Sequence, residues 1–378
     1  MKSGVIVLGG HIQGLNIIRI FGQNSIPSIL LDRERFNLAK HSKYCKAFYH
    51  CRDKEYLEML LDFIDKNLYK KWLIFPTNDE QVEMLSKNRD RLNSHFIVTT
   101  DRWLAIEKCY NKVESYKLAQ SLNIPIATTI FPQSKDDLIA KRDIRYPCII
   151  KPAIMHKFYS KFKKKVFVCN NKEELLNNYE LALQAISPSE IIVQEIIEGN
   201  SQNQYSVGLF FANKRVYNYI IARRKRQHPK DFGNATTFAE SVEIEILKER
   251  AIKLLEAIDY NGLCEVEFKY DIRDNEYKFL EINPRTWKWH SISQKANVPF
   301  LLSIYNYLTD SKPLVTDGFE KSYFKHILLD TIMILMHKEY RDNQTYEKDR
   351  VQYAVWSKDD IKPAFFELLY FPYNIFKR

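Results

Sequence analysis

The sequence predicts an α/β protein, with α+β character in its central lobes, on three observations. The first thirty residues run from an apolar strand through a glycine turn and a helix-period stretch to a second apolar strand. Two later apolar runs end on polar groups, Ile149-Ile150-Lys151 and Ile192-Val193-Gln194-Glu195. Two segments with period-two alternation, 263–268 and 281–285, flank a stretch rich in turn formers. The first pattern opens a parallel sheet, the last is an antiparallel hairpin, and a chain with both is mixed in class.

Composition narrows the choices. With 378 residues, the chain can build two or three cores. Its hydrophobic fraction of 45% is ordinary, and no run approaches the ~20 apolar residues that span a bilayer. Met1-Lys2-Ser3 leads into too short an apolar stretch for a secretory leader, so a mature cytoplasmic protein is expected. Six cysteines without a CxxC pair point to reduced, structural thiols rather than zinc or disulfides. The net charge of +10 favours an acidic partner, which could be nucleotide phosphate, nucleic acid or an anionic membrane.

The opening strand, Val5 to Leu8, meets Gly9-Gly10-His11-Ile12-Gln13-Gly14, a helical pattern from Leu15 to Phe21, and a strand from Pro27 ending at Asp32. This nearly matches the dinucleotide fingerprint. His11 replaces the glycine that lets a pyrophosphate approach, so a relative of the nucleotide folds that need not hold NAD is expected. A third strand, Trp72 to Phe75, ends in Pro76-Thr77-Asn78-Asp79-Glu80, a polar loop at a carboxyl end, where open α/β sheets place ligands; a helix cap by Asn78 or Asp79 is compatible with that.

A second unit opens with a helix from Asn111 to Leu122. Lys151 then closes a buried strand, where an unpaired ammonium is costly, so it is read as a contact for an anion. The basic stretch 153–165 reads as a cover over phosphates or as a solvated segment. The strand 191–197 turns polar and stops at Gly199, which suits a linker between two lobes that offers backbone groups to a flat ligand.

In the hairpin, a turn centred near Asp274 sets Glu267 opposite Glu281. Two facing carboxylates repel unless something positive lies between them. Oxygen ligands of this kind suit Mg²⁺, with Asn283 as a third ligand and Arg285 left for another anion. A merely solvated strand face shows the same alternation.

Taken in this order, the segments are identified as those of the ATP-grasp superfamily, of the carboxylate-amine ligase type, over roughly residues 1–310. The resemblance rests on Lys112, the Ile-Ile-Lys151-Pro strand, the Val-Gln194-Glu195-Ile-Ile197-Glu-Gly hinge, the Glu267 strand and Glu281-x-Asn283-x-Arg285. No Walker loop or kinase signature competes. It implies a Rossmann-like first domain (1–105), a small lobe (106–190), a lobe with a metal-binding hairpin (191–310) and a helical, aromatic-rich extension (311–378). It also implies ATP and Mg²⁺ as cofactors, with two ions expected and Mn²⁺ as a substitute.

By the same resemblance, Lys112 and Lys151 hold the α- and β-phosphates, and Lys165 closes over the triphosphate. Gln194, Glu195 and Ile197 line the adenine, the last two through main-chain groups. Glu267, Glu281 and Asn283 bind Mg²⁺, and Arg285 neutralises the carboxylate and its acyl phosphate. From Arg223-Arg224-Lys225-Arg226, Arg226 is the residue expected near the γ-phosphate and substrate. The sequence departs from the family at Asn203-Gln204-Tyr205, where an acid for the ribose is common, and at Trp287-Lys288-Trp289-His290, which is bulkier than usual. The tryptophans shape a substrate pocket or pack the core.

The implied activity joins a carboxylate to an amine at the expense of ATP, on an amino acid or a cell-envelope or glycan precursor. The rival readings are an ATP-binding regulatory protein without turnover and a basic nucleic-acid-binding protein; no nucleic-acid partner is expected, and a homodimer is left open. Beyond residue 310, the apolar run 326–336 is read as a packed helix. The stretch from Asp360 to Arg378 is read as a docked helix, with an interfacial anchor at the inner membrane face as the alternative.

Overall fold

The computed structural model describes residues 3–51, 55–230, 233, 235–341 and 345–376. Three sheets organise the chain. The first is parallel, in the order β3-β2-β1-β4-β5, with β1 at Val5–Leu8, β2 at Ser28–Asp32, β3 at Cys45–His50, β4 at Leu73–Phe75 and β5 at Ile97–Val98. The strands β1, β2 and β4 are buried along their whole length, as a parallel sheet covered by helices requires.

The helix Ile12–Gln23 crosses from β1 to β2 and is capped by His11, whose ring accepts from the Gln13 N–H. A Cβ on Gly14 would stand 2.0 Å from the Gly9 carbonyl oxygen, so this tight strand-to-helix turn needs glycine at position 14. Strand order reverses at β1, and there the loops after β1 and β4 lie side by side, joined by the Thr77 hydroxyl donating to the Leu8 carbonyl at 2.6 Å. Asn78 caps the helix Asp79–Lys87.

The second sheet is antiparallel, in the order β6-β9-β7-β8: β6 Thr129–Ile130, β7 Cys148–Pro152, β8 Phe167–Cys169 and β9 Ile191–Glu195. Strand alternation puts Ile149, Lys151, Ile192 and Gln194 on one face. Cys148, Ile150 and Val193 turn to the other, into a core with Leu175 and Tyr179. Thus the strand expected to open the third lobe at residue 191 is hydrogen-bonded into this sheet.

The third sheet has seven strands in the order β14-β13-β10-β11-β12-β15-β16: β10 Gln204–Ala212, β11 Arg215–His228, β12 Ala235–Ser241, β13 Gly262–Asp271, β14 Glu276–Asn283, β15 Tyr323–Lys325 and β16 Val351–Tyr353. The helix Glu245–Ala257 covers one face, against Val207, Leu209 and Val266, and Phe300–Leu308 covers the other, against Phe210 and Leu263. The last two strands come from beyond residue 310, so the extension expected to be helical also lengthens this sheet.

The C-terminal segment returns to the first sheet. Asp360, buried, accepts from Arg19 Nε at 2.9 Å, Ser42 Oγ at 2.6 Å and the Lys43 N–H at 2.9 Å. The helix Lys362–Phe376 then docks one face, with Phe366 stacked on His41 and the Tyr370 hydroxyl 2.8 Å from His41 Nε2. Lys377 and Arg378, the basic end noted in the sequence, lie outside the described residues. All six cysteines are free thiols. Among the described residues no helix is long and apolar enough to cross a membrane.

Candidate active site

The site is built on the β13–β14 hairpin. The turn, with Asp271 opposite Glu276, would by itself set Glu267 against Leu280, and a bulge brings Glu281 to the expected place. Glu267 pairs with Glu281, Val266 with Ile282 and Glu265 with Asn283. Val266, Phe268 and Ile282 enter the core, so Glu265, Glu267, Glu281 and Asn283 share the opposite face. A bulge after Glu267 leaves Leu280 unpaired, and its carbonyl accepts from Tyr116, which lies on the helix Lys112–Ser121. That helix is thereby fixed against the hairpin with Lys112 at its first turn.

Lys112 Nζ stands 2.9 Å from Glu281 Oε2. The ammonium holds the Glu281 carboxyl down at about 2. Lys112 is raised in turn, because Glu281 outweighs the burial that acts against its charge. Lys151 reaches the same space from β7, donating to the Tyr116 hydroxyl at 2.6 Å and to Gln194 Oε1 at 2.7 Å. Burial and the neighbouring Lys112 depress Lys151 to about 7. Lys165 lies within the electrostatic reach of Glu281 and Glu267, although burial dominates and lowers its pKa.

The acids beside Glu281 are more confined. Glu265 and Glu267 are buried, and Asn283 Nδ2 donates to both, at 3.3 and 3.1 Å. Burial and the Glu267 charge push Glu265 up to about 8. Burial likewise raises Glu267, opposed by Arg224, whose Nη2 is 3.6 Å from its carboxylate. Arg285 crosses to the first sheet, donating to Asp79 Oδ1 at 2.6 Å and to Asn283 Oδ1 at 3.1 Å.

Two residues expected at the site are turned from it. Glu195 directs its carboxylate to the far face of the β9 strand, to the Thr128 N–H at 2.9 Å and to Lys278 and Arg273, each at 3.4 Å. A cavity of about 370 Å³ opens on that side, and its lining includes none of Lys112, Lys151, Glu267 or Glu281. The main-chain N–H of Glu195 donates to the Thr128 carbonyl at 3.0 Å. Ile197 offers its carbonyl, which accepts from Lys269 at 2.6 Å.

Arg226 is placed differently from the expectation. It forms a two-pronged ion pair with the fully buried Asp330, at 2.8 and 2.9 Å. The cause is a bulge at Lys225: Arg224 pairs with Ala239 and Arg226 with Phe238, adjacent β12 residues whose side chains point to opposite faces. Arg224 is therefore the arginine beside Glu267.

Glu265 was missed as a site residue, although it continues the period-two alternation of Glu267. Trp287 and Trp289 belong to the core. Gly208 makes room for Trp287, and Trp289 Nε1 donates to Glu265 at 2.9 Å, so the bulky segment supports the acid face from beneath. His290 is buried, its Nδ1 2.7 Å from the Trp287 carbonyl, and burial lowers it to about 4.

Residues 111–303, just over half of the chain, match the family described as the carbamoyl-phosphate synthase L chain, ATP binding domain. The chain is an ATP-grasp protein. A D-aspartate ligase from Enterococcus faecium (strain Aus0004) is 24% identical to this ATP-grasp chain over 335 residues, 79% of each. Among solved structures, the N5-carboxyaminoimidazole synthetase from Staphylococcus aureus superposes with a TM-score of 0.65 at 15% identity, covering 96% of this chain and 92% of the other. The biotin carboxylase domain of the Hydrogenobacter thermophilus 2-oxoglutarate carboxylase, solved with MgADP and bicarbonate, gives 0.66 at 15% identity over 85% of this chain and 73% of that one.

The donor set fits a divalent cation and a polyphosphate. Three carboxylates and an amide converge on one strand face, two of the acids raised in pKa by burial, while Lys112, Lys151 and Lys165 surround them. Among the described residues no group of three or more acid, histidine or cysteine side chains is arranged to hold a metal ion; Lys112 is paired with Glu281, and Asn283 donates to Glu265 and Glu267.

Proposed function

We propose that this chain is an ATP- and Mg²⁺-dependent ligase that activates a carboxylate as an acyl phosphate and joins it to an amine, releasing ADP and phosphate. The observation that carries it is the Glu265/Glu267/Glu281/Asn283 face with Lys112 on Glu281 and Arg285 at its edge. The D-aspartate ligase relative and the MgADP bound to the carboxylase neighbour support the reaction class and the cofactors.

In this reading Glu267, Glu281 and Asn283 would hold Mg²⁺, as two ions that Mn²⁺ could replace, and the cation would supply charge compensation for the phosphoryl transfer. Lys112 and Lys151 bind the α- and β-phosphates and Lys165 covers them. Gln194, with main-chain groups of Glu195 and Ile197, lines the adenine. Arg285 exchanges Asp79 for the substrate carboxylate, and Arg224 takes the part expected of Arg226. The γ-phosphoryl group passes to a carboxylate oxygen; the amine then attacks the acyl carbon, phosphate leaves with the bonding pair, and the amine loses a proton.

The substrate class is an amino acid or a cell-envelope or glycan precursor, and the place of action is the cytoplasm. A nucleic-acid role is disfavoured by the basic run itself: Arg224, Lys225 and Arg226 are buried and engaged with Glu267, Glu240 and Asp330.

The test is ATP consumption by purified protein with Mg²⁺ against paired pools of D- and L-amino acids, amines and amino sugars, with ADP, AMP and phosphate read separately. ADP and phosphate that appear with one pair only, and vanish in Glu281→Ala, establish the ligase. AMP as product, or ATP binding with no turnover in any pool, overturns the ligation of these substrates.

A further inference from the structure

The helix Lys362–Phe376 has two apolar faces, and the fold uses only one. Ala364, Phe366 and Tyr370 face the body of the protein, held by the first core and by His41. On the other side Ile361, Phe365, Leu368, Leu369 and Tyr373 are each 41% to 64% exposed, and Pro372 is exposed with them. Their spacing, 361, 365, 368, 369, 372 and 373, is that of a single helix stripe. Lys362 is the one charged residue among the exposed described positions of this helix. Exposed Phe36 packs edge-on against Tyr370 and Tyr373, so the patch continues onto the first unit. A contiguous apolar surface of this kind marks an interaction site.

The charge around the patch selects the occupant. Lys40 lies over the Phe36 and Tyr370 rings, and exposed Lys358 and Lys362 stand at the start of the helix. At its other end the sequence continues with Lys377 and Arg378. The nearby acids are already paired: Asp359 with Lys43, Asp360 with Arg19 and Glu367 with His326. Two copies of this helix packed stripe to stripe would set basic end against basic end in either direction, since both ends carry lysine or arginine. An anionic lipid surface instead accepts the apolar stripe below its headgroups and meets the lysines with phosphate.

We infer that the C-terminal helix lies in the plane of an anionic membrane, with the Phe365/Leu368/Leu369 stripe inserted and Lys40, Lys358 and Lys362 at headgroup level.

The test is flotation of the full-length protein with phosphatidylcholine vesicles, with and without phosphatidylglycerol, alongside sedimentation velocity without lipid. The expected result is co-flotation with the anionic vesicles alone, weakened by salt. Leu368→Glu with Leu369→Glu should lower the bound fraction at least about tenfold, and Lys358→Glu with Lys362→Glu should weaken it by a similar factor. The stripe positions are exposed, so both variants should keep the wild-type melting curve, and Phe365→Gln serves as a milder third. ATP turnover on water-soluble substrates should be unchanged in the stripe variant, which separates this inference from the ligase reading. Failure to float with either vesicle, flotation unaffected by the stripe variant, or a dimer that this variant dissociates would overturn the inference, the last by assigning the stripe to a second copy.

Discussion

Lys112 and Glu281, 169 positions apart in sequence, form an ion pair of 2.9 Å across the mouth of the carboxylate face. The pair joins the first turn of one helix to the edge strand of the seven-stranded sheet. It also keeps Glu281 ionised while its neighbours Glu265 and Glu267 are pushed toward their neutral forms.

Removing that carboxylate should abolish turnover with little loss of fold. Glu281 and Lys112 are both partly exposed, so Glu281→Ala leaves an ammonium that water can reach. The expected outcome is a fall in kcat of about 10³-fold or more, with a melting temperature within a few degrees of wild type. A small effect on kcat would remove Glu281 from the metal set.

Arg226 and Arg224 should separate into a stability residue and an activity residue. Arg226→Met removes both prongs of the ion pair from the fully buried Asp330 and leaves it the Thr237 hydroxyl at 2.9 Å and Lys325 at 3.7 Å, at a cost of up to about 3 kcal/mol seen in chemical denaturation. Arg224→Met should lower kcat, because Arg224 faces Glu267, and should cost less stability, because that ion pair is longer at 3.6 Å and its carboxyl is already pushed toward the neutral form by burial. The reverse pattern would restore Arg226 to the site.

Lys151, at about 7, should take up a proton when nucleotide binds above neutral pH. Its folded pKa lies below the ordinary value of 10.5, so the unfolded chain binds more protons between pH 7 and 10.5, and this group makes stability rise with pH across that window. Calorimetry of ATP-Mg²⁺ binding at pH 8 in buffers of different ionisation enthalpy should show net uptake, absent in Lys151→Met. Equal heats in all buffers would contradict the anion-binding role.

Glu265 works in the opposite sense. Its folded pKa of about 8 lies above the ordinary 4.5, so the folded chain binds more protons between those values and loses stability as pH rises from 4.5 to 8. Mg²⁺ should offset that loss. Melting curves from pH 5 to 8 should flatten when Mg²⁺ is added and in Glu265→Gln, whereas a slope unchanged in both would show that this carboxyl does not sense the cation.

The hairpin was legible because apolar and polar residues alternate along both strands and turn formers at 271–276 separate them; the bulge at Leu280 that brings Glu281 opposite Glu267 was not. The β1 turn and the Lys151 strand were legible for similar local reasons. The exchange of Arg224 for Arg226 was not, since nothing in Arg-Arg-Lys-Arg marks the bulge that rotates the chain by one residue. Neither was the Asp79–Arg285 contact as a pair, its members standing 206 positions apart, although both loops stood out as polar at strand ends. The strands β15 and β16 are three residues each, too short for a period to register, and owe their conformation to the sheet edge they complete.

Arg19 finds its counter-ion 341 residues later, at Asp360. A ribosome releases the first helix long before it makes residue 360, so the nascent amino-terminal unit carries a guanidinium that its finished form buries against a carboxylate. Synthesis alone therefore cannot complete that unit: its packing closes only when the carboxyl-terminal segment arrives, and a chain cut short before Asp360 leaves its earliest-made part unfinished.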